Sequence, residues 1–216
     1  MIRFVFRLVD ALKRRKFERM FARGADPFRY GALEFESRRF KLMARALEGR
    51  GYARALEVGC AEGSFTRHLA PLCENLLAMD ISSTALDRAR SALDLGAGVS
   101  FVRANLRDWE PSAGERFDLV VLSEVLYYLG ERNDLLKAFA ASPDDYVRPV
   151  LERVARSLAP RGRVLLAHSF AGELRERRVS YRRILESLGL KLVLEEEVEP
   201  TGEAGTDRCL VSLLEA

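Results

Sequence analysis

Apolar positions along the chain follow two alternating periods. Short apolar or alternating runs of strand length are Ala53–Val58, Asn75–Met79, Val99–Arg103, Phe117–Leu122, Arg163–Ala167, Lys191–Glu197 and Arg208–Leu214. Between them, apolar residues return every three or four positions, the period of a helix with one buried face. These stretches are Ile2–Phe21, Leu33–Leu47, Ser64–Leu72, Ser83–Leu95, Asp144–Leu158 and Leu174–Leu188. The breaks have local causes. Gly24-Ala25-Asp26-Pro27 ends the first helix, Gly49 and Gly51 end the second, and Gly189 closes the last. Ser82 or Ser83 is placed to cap the fourth helix, and Ser142 with Pro143 to open the fifth. Phe117–Leu122 is apolar at nearly every position, as in a strand covered on both faces. Strand–helix alternation predicts an α/β fold with a mostly parallel sheet of seven strands. The last two strands have no helix between them, which predicts a closing antiparallel hairpin.

Composition narrows this picture. At 216 residues, with 48% hydrophobic and 31% charged, the chain suits one folded core and excludes a disordered protein. No apolar run is long enough to span a bilayer. Cys60, Cys73 and Cys209 form no CxxC pair, so neither a disulfide framework nor a structural zinc site is expected, and a reducing cytoplasm is the expected compartment. Net charge is +3, yet residues 1–24 hold eight Lys or Arg against Asp10 and Glu18. The body is therefore mildly acidic, which argues against a broad nucleic-acid surface. Charges interrupt the leader too often for a secretory signal. The division expected is 1–50 for a basic helix and covering helices, and 51–216 for the core.

In open parallel sheets ligands bind beyond the carboxyl ends of the strands. After the first strand stands Glu57-Val58-Gly59-Cys60-Ala61-Glu62-Gly63. Its glycines permit a tight turn, and the amides of the next helix face a ligand there. The spacing is Glu-x-Gly-x-x-x-Gly, not the GxGxxG of dinucleotide enzymes, because Ala61 and Ser64 replace the later glycines. Asp80 ends the second strand, where a carboxylate can accept both ribose hydroxyl protons of a nucleoside. Asn105-Leu106 follows the third strand and Ser123-Glu124 the fourth.

These residues resemble the class I S-adenosylmethionine-dependent methyltransferases, from about Phe17 onward. The resemblance implies a Rossmann-like, doubly wound seven-stranded sheet with its last strand antiparallel. In it Glu57, Gly59, Cys60, Ala61 and Gly63 form the first motif, Asp80 with Ile81 the ribose contact, and Asn105 with Leu106 the adenine contact. Leu158-Ala159-Pro160-Arg161-Gly162 matches the turn before strand five. Ala61 stands where Gly is common and Asn105 where Asp is common. A narrower resemblance to the NodS-type group rests on Phe17-Glu18, Asp26-Pro27-Phe28-Arg29-Tyr30, Phe35-Glu36 and Leu122-Ser123-Glu124-Val125-Leu126-Tyr127-Tyr128-Leu129. Phe28 replaces that group's usual Trp. The group is named for an N-methyltransferase of amino sugars, so the resemblance implies a small-molecule acceptor bearing an amine or hydroxyl. It also implies a lid over the site from Phe17–Leu47, with Tyr30, Ser123 and Arg39 near the cofactor and Arg39 on its carboxylate.

The general base is expected among Glu124, Tyr128 and His168. Cys60 is read as a small side chain under the ligand rather than a nucleophile, because no motif places an activating His beside it. No metal site is expected. The leader Met1–Lys16 lies outside the resemblance and is read as an accessory element: a solvated basic face or, in the sharper reading, a membrane-surface helix with Phe4, Val5, Leu8, Val9 and Leu12 toward lipid. A monomer or homodimer fits equally. The alternatives are a nucleic-acid methyltransferase, against which the missing N/D-P-P-Y/F motif counts, and a non-catalytic cofactor-binding protein.

Overall fold

The structure, a computed structural model, describes residues 2–94, 96–129, 144–202 and 208–216, with side chains except at 2–7, 144 and 145. The expected cap at Ser142 and Pro143 and the leader side chains Arg3, Phe4, Val5 and Arg7 lie outside the described residues. In chain order the elements are α1 (Ile2–Arg23), α2 (Glu34–Leu47), β1 (Tyr52–Val58), α3 (Thr66–Leu69), β2 (Cys73–Asp80), α4 (Ser83–Ala92), β3 (Val99–Arg103) and β4 (Phe117–Ser123). They continue with α5 (Asp144–Arg156), β5 (Leu158–Phe170), α6 (Arg175–Ser187), β6 (Lys191–Val198) and β7 (Arg208–Glu215). The strands form one sheet in the order β3-β2-β1-β4-β5-β7-β6. Strands β1 to β5 pair in parallel, and β7 runs antiparallel to both β5 and β6, so the closing hairpin is present with its second arm on the inside.

The apolar run of β4 shows why the sheet has two covered faces. Val120 and Leu122 pack toward Val147, Val150 and Leu151 of α5 and Ile184 and Leu185 of α6. Leu119 and Val121 point the other way, into the layer formed by Phe40, Met43 and Leu47 of α2 and Leu69 of α3. This alternation is the two-residue period of a strand.

Several boundaries differ from the sequence reading, two of them with a visible local cause. The helix read over Ser64–Leu72 is only one turn, α3, followed by a tighter turn over Ala70–Leu72. Pro71 lacks an N–H and crowds the preceding carbonyls, so the α-helix stops before it. Strand β5 begins earlier than Arg163. Pro160-Arg161-Gly162 sits inside it as an irregularity, where the register against β4 shifts between Phe117 and Leu119.

Helix α1 lies across α4. Val9 and Phe21 are buried, and Phe21 packs on Ala61 and Ala85. Ser82 caps α4 by accepting from the Ala85 N–H at 3.2 Å. Glu18 of α1 adds a second cap. It accepts from the Ser83 N–H and hydroxyl at 2.8 Å each, from the Ser82 hydroxyl at 3.0 Å and from the Thr84 N–H at 3.3 Å. A carboxylate at a helix N-terminus meets unsatisfied amides and the positive end of the dipole. Partial burial opposes its charge, but these bonds outweigh burial and hold the Glu18 pKa down at about 2.

Candidate active site

The carboxyl ends of β1 to β4 open into a cavity of about 460 Å³, roofed by α1 and by the segment that leads into α2. That is the size and position of a small-molecule site in a doubly wound sheet. Asp80, Ile81, Ala104, Asn105 and Leu106 line one end. Asp80 Oδ2 accepts from the Ala61 N–H at 3.0 Å and Oδ1 from the Ser82 N–H at 2.8 Å. Each carboxylate oxygen keeps a further lone pair. Burial raises the Asp80 pKa and the backbone bonds only partly offset it, so the group is poised for more donors. Two ribose hydroxyls are such donors, and Val58, Met79 and Leu106 offer apolar walls for a base. The residues present therefore fit a nucleoside-bearing cofactor of the S-adenosylmethionine kind.

The turn after β1 is shaped by packing as much as by ligand. Gly59 has φ +75°, and a Cβ there would stand 2.3 Å from Val125 Cγ1. Gly63 has φ +83°, and a Cβ there would stand 2.3 Å from Leu93 Cδ1. Ala61 holds φ +50°, a left-handed conformation that explains why glycine suits the position.

Several expected site residues stand behind the cavity wall. The Glu57 carboxylate is buried and accepts from Thr66 Oγ1 at 2.7 Å, and burial lifts its pKa to about 7. It shapes the turn from below. Cys60, read as a small side chain under the ligand, packs its side chain with Ala78 and Leu86, and burial pushes the thiol pKa up. His168 does not reach the cavity. Its Nε2 accepts from the Leu126 N–H at 3.2 Å, its ring sits edge-on to Tyr181, and burial lowers its pKa to about 3. A neutral, engaged imidazole holds the chain after β4 and has no lone pair to offer a substrate. Arg39 is wholly buried and also behind the wall. It gives Nη1 to Ser123 Oγ at 2.7 Å and Nε to Glu36 Oε2 at 2.8 Å, with Nη2 on the same Glu36 oxygen. The guanidinium that the resemblance sets on a cofactor carboxylate is engaged by these protein partners.

Tyr30, Glu36, Ser123, Glu124, Tyr127, Tyr128 and Ser169 line the other end. Glu124 sits at φ +55° just past β4. Its Oε1 accepts from the Ser169 N–H at 2.7 Å and hydroxyl at 2.8 Å, and its Oε2 from the Tyr127 hydroxyl at 2.6 Å. Burial alone would raise its pKa, but Arg39 and these bonds bring it below the usual carboxylate value. Tyr128 meets Phe17 edge-on at 5.1 Å between ring centres. Tyr30 stacks on Phe28 and lies 5.5 Å from the Arg39 guanidinium carbon.

The leader is not peripheral to this site. Asp10 and Lys13 belong to the cavity wall. Asp10 accepts from Asn105 Nδ2 at 3.1 Å and pairs with Arg107 Nε at 2.9 Å, while Lys13 donates to the Tyr128 carbonyl. Burial lowers the Lys13 pKa to about 8. The sequence reading missed Asp10, Lys13 and Glu36 as cavity residues. One signal was available: Val9, Lys13, Phe17 and Phe21 repeat every four positions, so a cation stands on the inward stripe of α1. Among the described residues no three His, Cys, Asp or Glu are grouped to hold a metal, and no helix is long and apolar enough to cross a membrane.

Comparison with known proteins agrees with this geometry. Residues 12–142 match the family model described as nodulation protein S (NodS). A nodulation protein S from Rhizobium tropici is 32% identical over 194 residues, covering 86% of this chain and 74% of its own. One from Bradyrhizobium diazoefficiens is 41% identical over 117 residues, about half of each chain. The crystal structure of the N-methyltransferase NodS from Bradyrhizobium japonicum WM9, in complex with S-adenosyl-L-homocysteine, superposes with a TM-score of 0.76 at 28% identity, covering 93% of this chain and 96% of that one. With the fold, the cavity and the Asp80 end already in place, these matches assign the chain to the nodulation protein S family, as an S-adenosylmethionine-dependent methyltransferase of small molecules.

Proposed function

We propose that the acceptor is the amine of an amino sugar and that the methyl group goes to nitrogen. The observation that carries this reading is the lining of the cavity end opposite Asp80. Two carboxylates, Glu36 and Glu124, and three phenol rings, Tyr30, Tyr127 and Tyr128, gather there. Aromatic faces suit the C–H faces of a sugar, and carboxylates suit an ammonium and hydroxyls. The N-methyltransferase activity named for the structural relative supports nitrogen over oxygen.

In this reading Asp80 with Ile81 holds the ribose, and Asn105 with Leu106 flanks the base. Gly59, Ala61 and Ser123 border the middle of the ligand. When bound, S-adenosylmethionine supplies an already activated methyl group on a sulfonium. The protein's task is to orient the acceptor and keep water out. Phe17, Phe28 and Tyr30 of the roof serve the second task. Alignment of this kind supplies on the order of 7–11 kcal/mol of barrier reduction in favourable cases.

The test is direct. The protein is incubated with S-adenosylmethionine and a short chitin oligomer whose terminal sugar carries a free amine, beside the fully N-acetylated oligomer. Mass spectrometry should show one added methyl group on the first and none on the second. Methylation of both at a hydroxyl, or of neither, overturns the reading.

A further inference from the structure

The two carboxylates of the acceptor end differ in what they have left to offer. Glu124 is fully engaged. Both its oxygens receive hydrogen bonds from Tyr127 and Ser169, and Arg39 Nη1 stands 3.7 Å from Oε1. A proton arriving there would displace bonds already made. Glu36 is arranged otherwise. Arg39 places both of its contacts, from Nε and Nη2, on the single oxygen Oε2. Among the described residues no hydrogen bond is made to Oε1, and the residue lines the cavity. The guanidinium also reaches Ser123 Oγ at 2.7 Å, so Glu36 is fixed one guanidinium away from the end of β4.

We propose that Glu36 is the carboxylate that receives the acceptor ammonium and takes its proton. This rests on the amine reading above and deepens it: the site selects a cationic amine before it methylates a neutral one. The ammonium pairs with Oε1 and gives its proton to it. The freed nitrogen lone pair forms the new C–N bond while the C–S bond of the sulfonium breaks toward sulfur, leaving a neutral thioether and a methylated ammonium. The proton on Glu36 then returns to solvent. The surroundings suit that exchange. Burial raises the Glu36 pKa, Arg39 pulls it back, and the nearby Glu124 and Asp26 raise it further. Tyr30, Tyr127 and Tyr128 are the phenols on this wall, Asp10, Lys13 and Arg29 are the other charged groups lining the cavity, and Cys209 lies near Glu36 in the core behind it. Glu124, held low, stays ionised over the range in which Glu36 changes charge.

Glu36→Gln tests the assignment, with binding read separately from turnover. Calorimetry first measures S-adenosylhomocysteine with wild type and variant, then the free-amine chitin oligomer against each product complex across pH. The expected result is product affinity within about twofold of wild type, a loss of tenfold or more in amine binding at neutral pH, and loss of the acid-side fall in amine affinity that wild type shows. The N-acetylated oligomer should bind without that fall in either protein. If Glu36→Gln instead loses product affinity, Glu36 serves the cofactor and the proposal is overturned. If amine binding and its pH dependence survive the substitution, it is overturned as well. A wild-type protein that neither binds nor methylates the free amine removes the amine reading itself, a failure seen before any variant is made.

Discussion

The two ends of the cavity are built by different means. At the Asp80 end the main chain does the positioning: Asp80 is fixed by the N–H groups of Ala61 and Ser82, and the turn is fixed by Gly59 against Val125. At the Glu124 end side chains do more of it, through Tyr127, Ser169, Arg39, Ser123 and Glu36. Main-chain geometry follows from the fold and tolerates little change. A side-chain network can be rewritten residue by residue. One fold can therefore keep a common methyl donor at one end while the other end is tuned to an acceptor.

Four substitutions break or sharpen that contrast. Gly59→Ala should have the largest effect, because a Cβ would meet Val125 Cγ1 at 2.3 Å and the φ of +75° disfavours any side chain. Overpacking and left-handed strain together cost about 2–4 kcal/mol, read as a fall in the denaturant midpoint and a loss of product binding. Asp80→Asn keeps the shape but brings an amide N–H₂ toward the Ala61 and Ser82 donors. Its affinity for S-adenosylhomocysteine should drop by roughly 1.5–3 kcal/mol by calorimetry, with stability falling less. Tyr128→Phe should leave product affinity in place and lower kcat/KM for the acceptor by about 1 kcal/mol, roughly fivefold. An equal loss of product affinity would place Tyr128 at the donor end.

Glu18→Gln should have the smallest effect, about 0.5–1 kcal/mol, from weaker capping of α4. It should show as faster hydrogen exchange in α1 with β1 to β4 unchanged. The same contact gives α1 a pH dependence. With Glu18 at about 2 in the docked state against 4.5 when free, docking is complete above about pH 4.5 and weakens as pH falls toward 2. His168 adds acid sensitivity of the core. It is neutral when folded, with a pKa of about 3 against 6.5 when exposed, so proton binding favours the unfolded chain increasingly as pH falls below 6.5.

What could be read from the sequence follows from what each feature depends on. The strands, their two covered faces and the closing hairpin depend on local periodicity, and Phe117–Leu122 alone shows a strand enclosed on both sides. The Asp80 end depends on residues just past strand termini, where order along the chain translates into position. The Glu124 end depends on which side chains meet across the fold. His168, read as following a strand that ends at Ala167, stands inside β5 and turns away from the cavity, because the antiparallel pairing with β7 places it opposite Leu210, in the layer beside Tyr181. Arg39 and Glu36 are three residues apart on one helix, so their pairing is visible in the sequence, but the oxygen that the pairing leaves open is not. The leader misled for a different reason: its charge suggests a solvated face and outweighs the four-residue repeat that sets Lys13 on the inward stripe with Val9, Phe17 and Phe21.

The position of β7 has a consequence for how the molecule is made. Strand β6 precedes β7 in the chain, yet among the described residues it pairs with the sheet only through β7, which lies between it and β5. During synthesis β1 to β5 can find their partners in order, while β6 waits beside an edge to which it has no direct pairing. Until β7 emerges, β5 presents an open edge, the kind of template on which another chain can add a strand. β7 is therefore the strand that ends the exposure, so ribosome stalling or premature termination before Arg208 should yield aggregation rather than a merely less active enzyme.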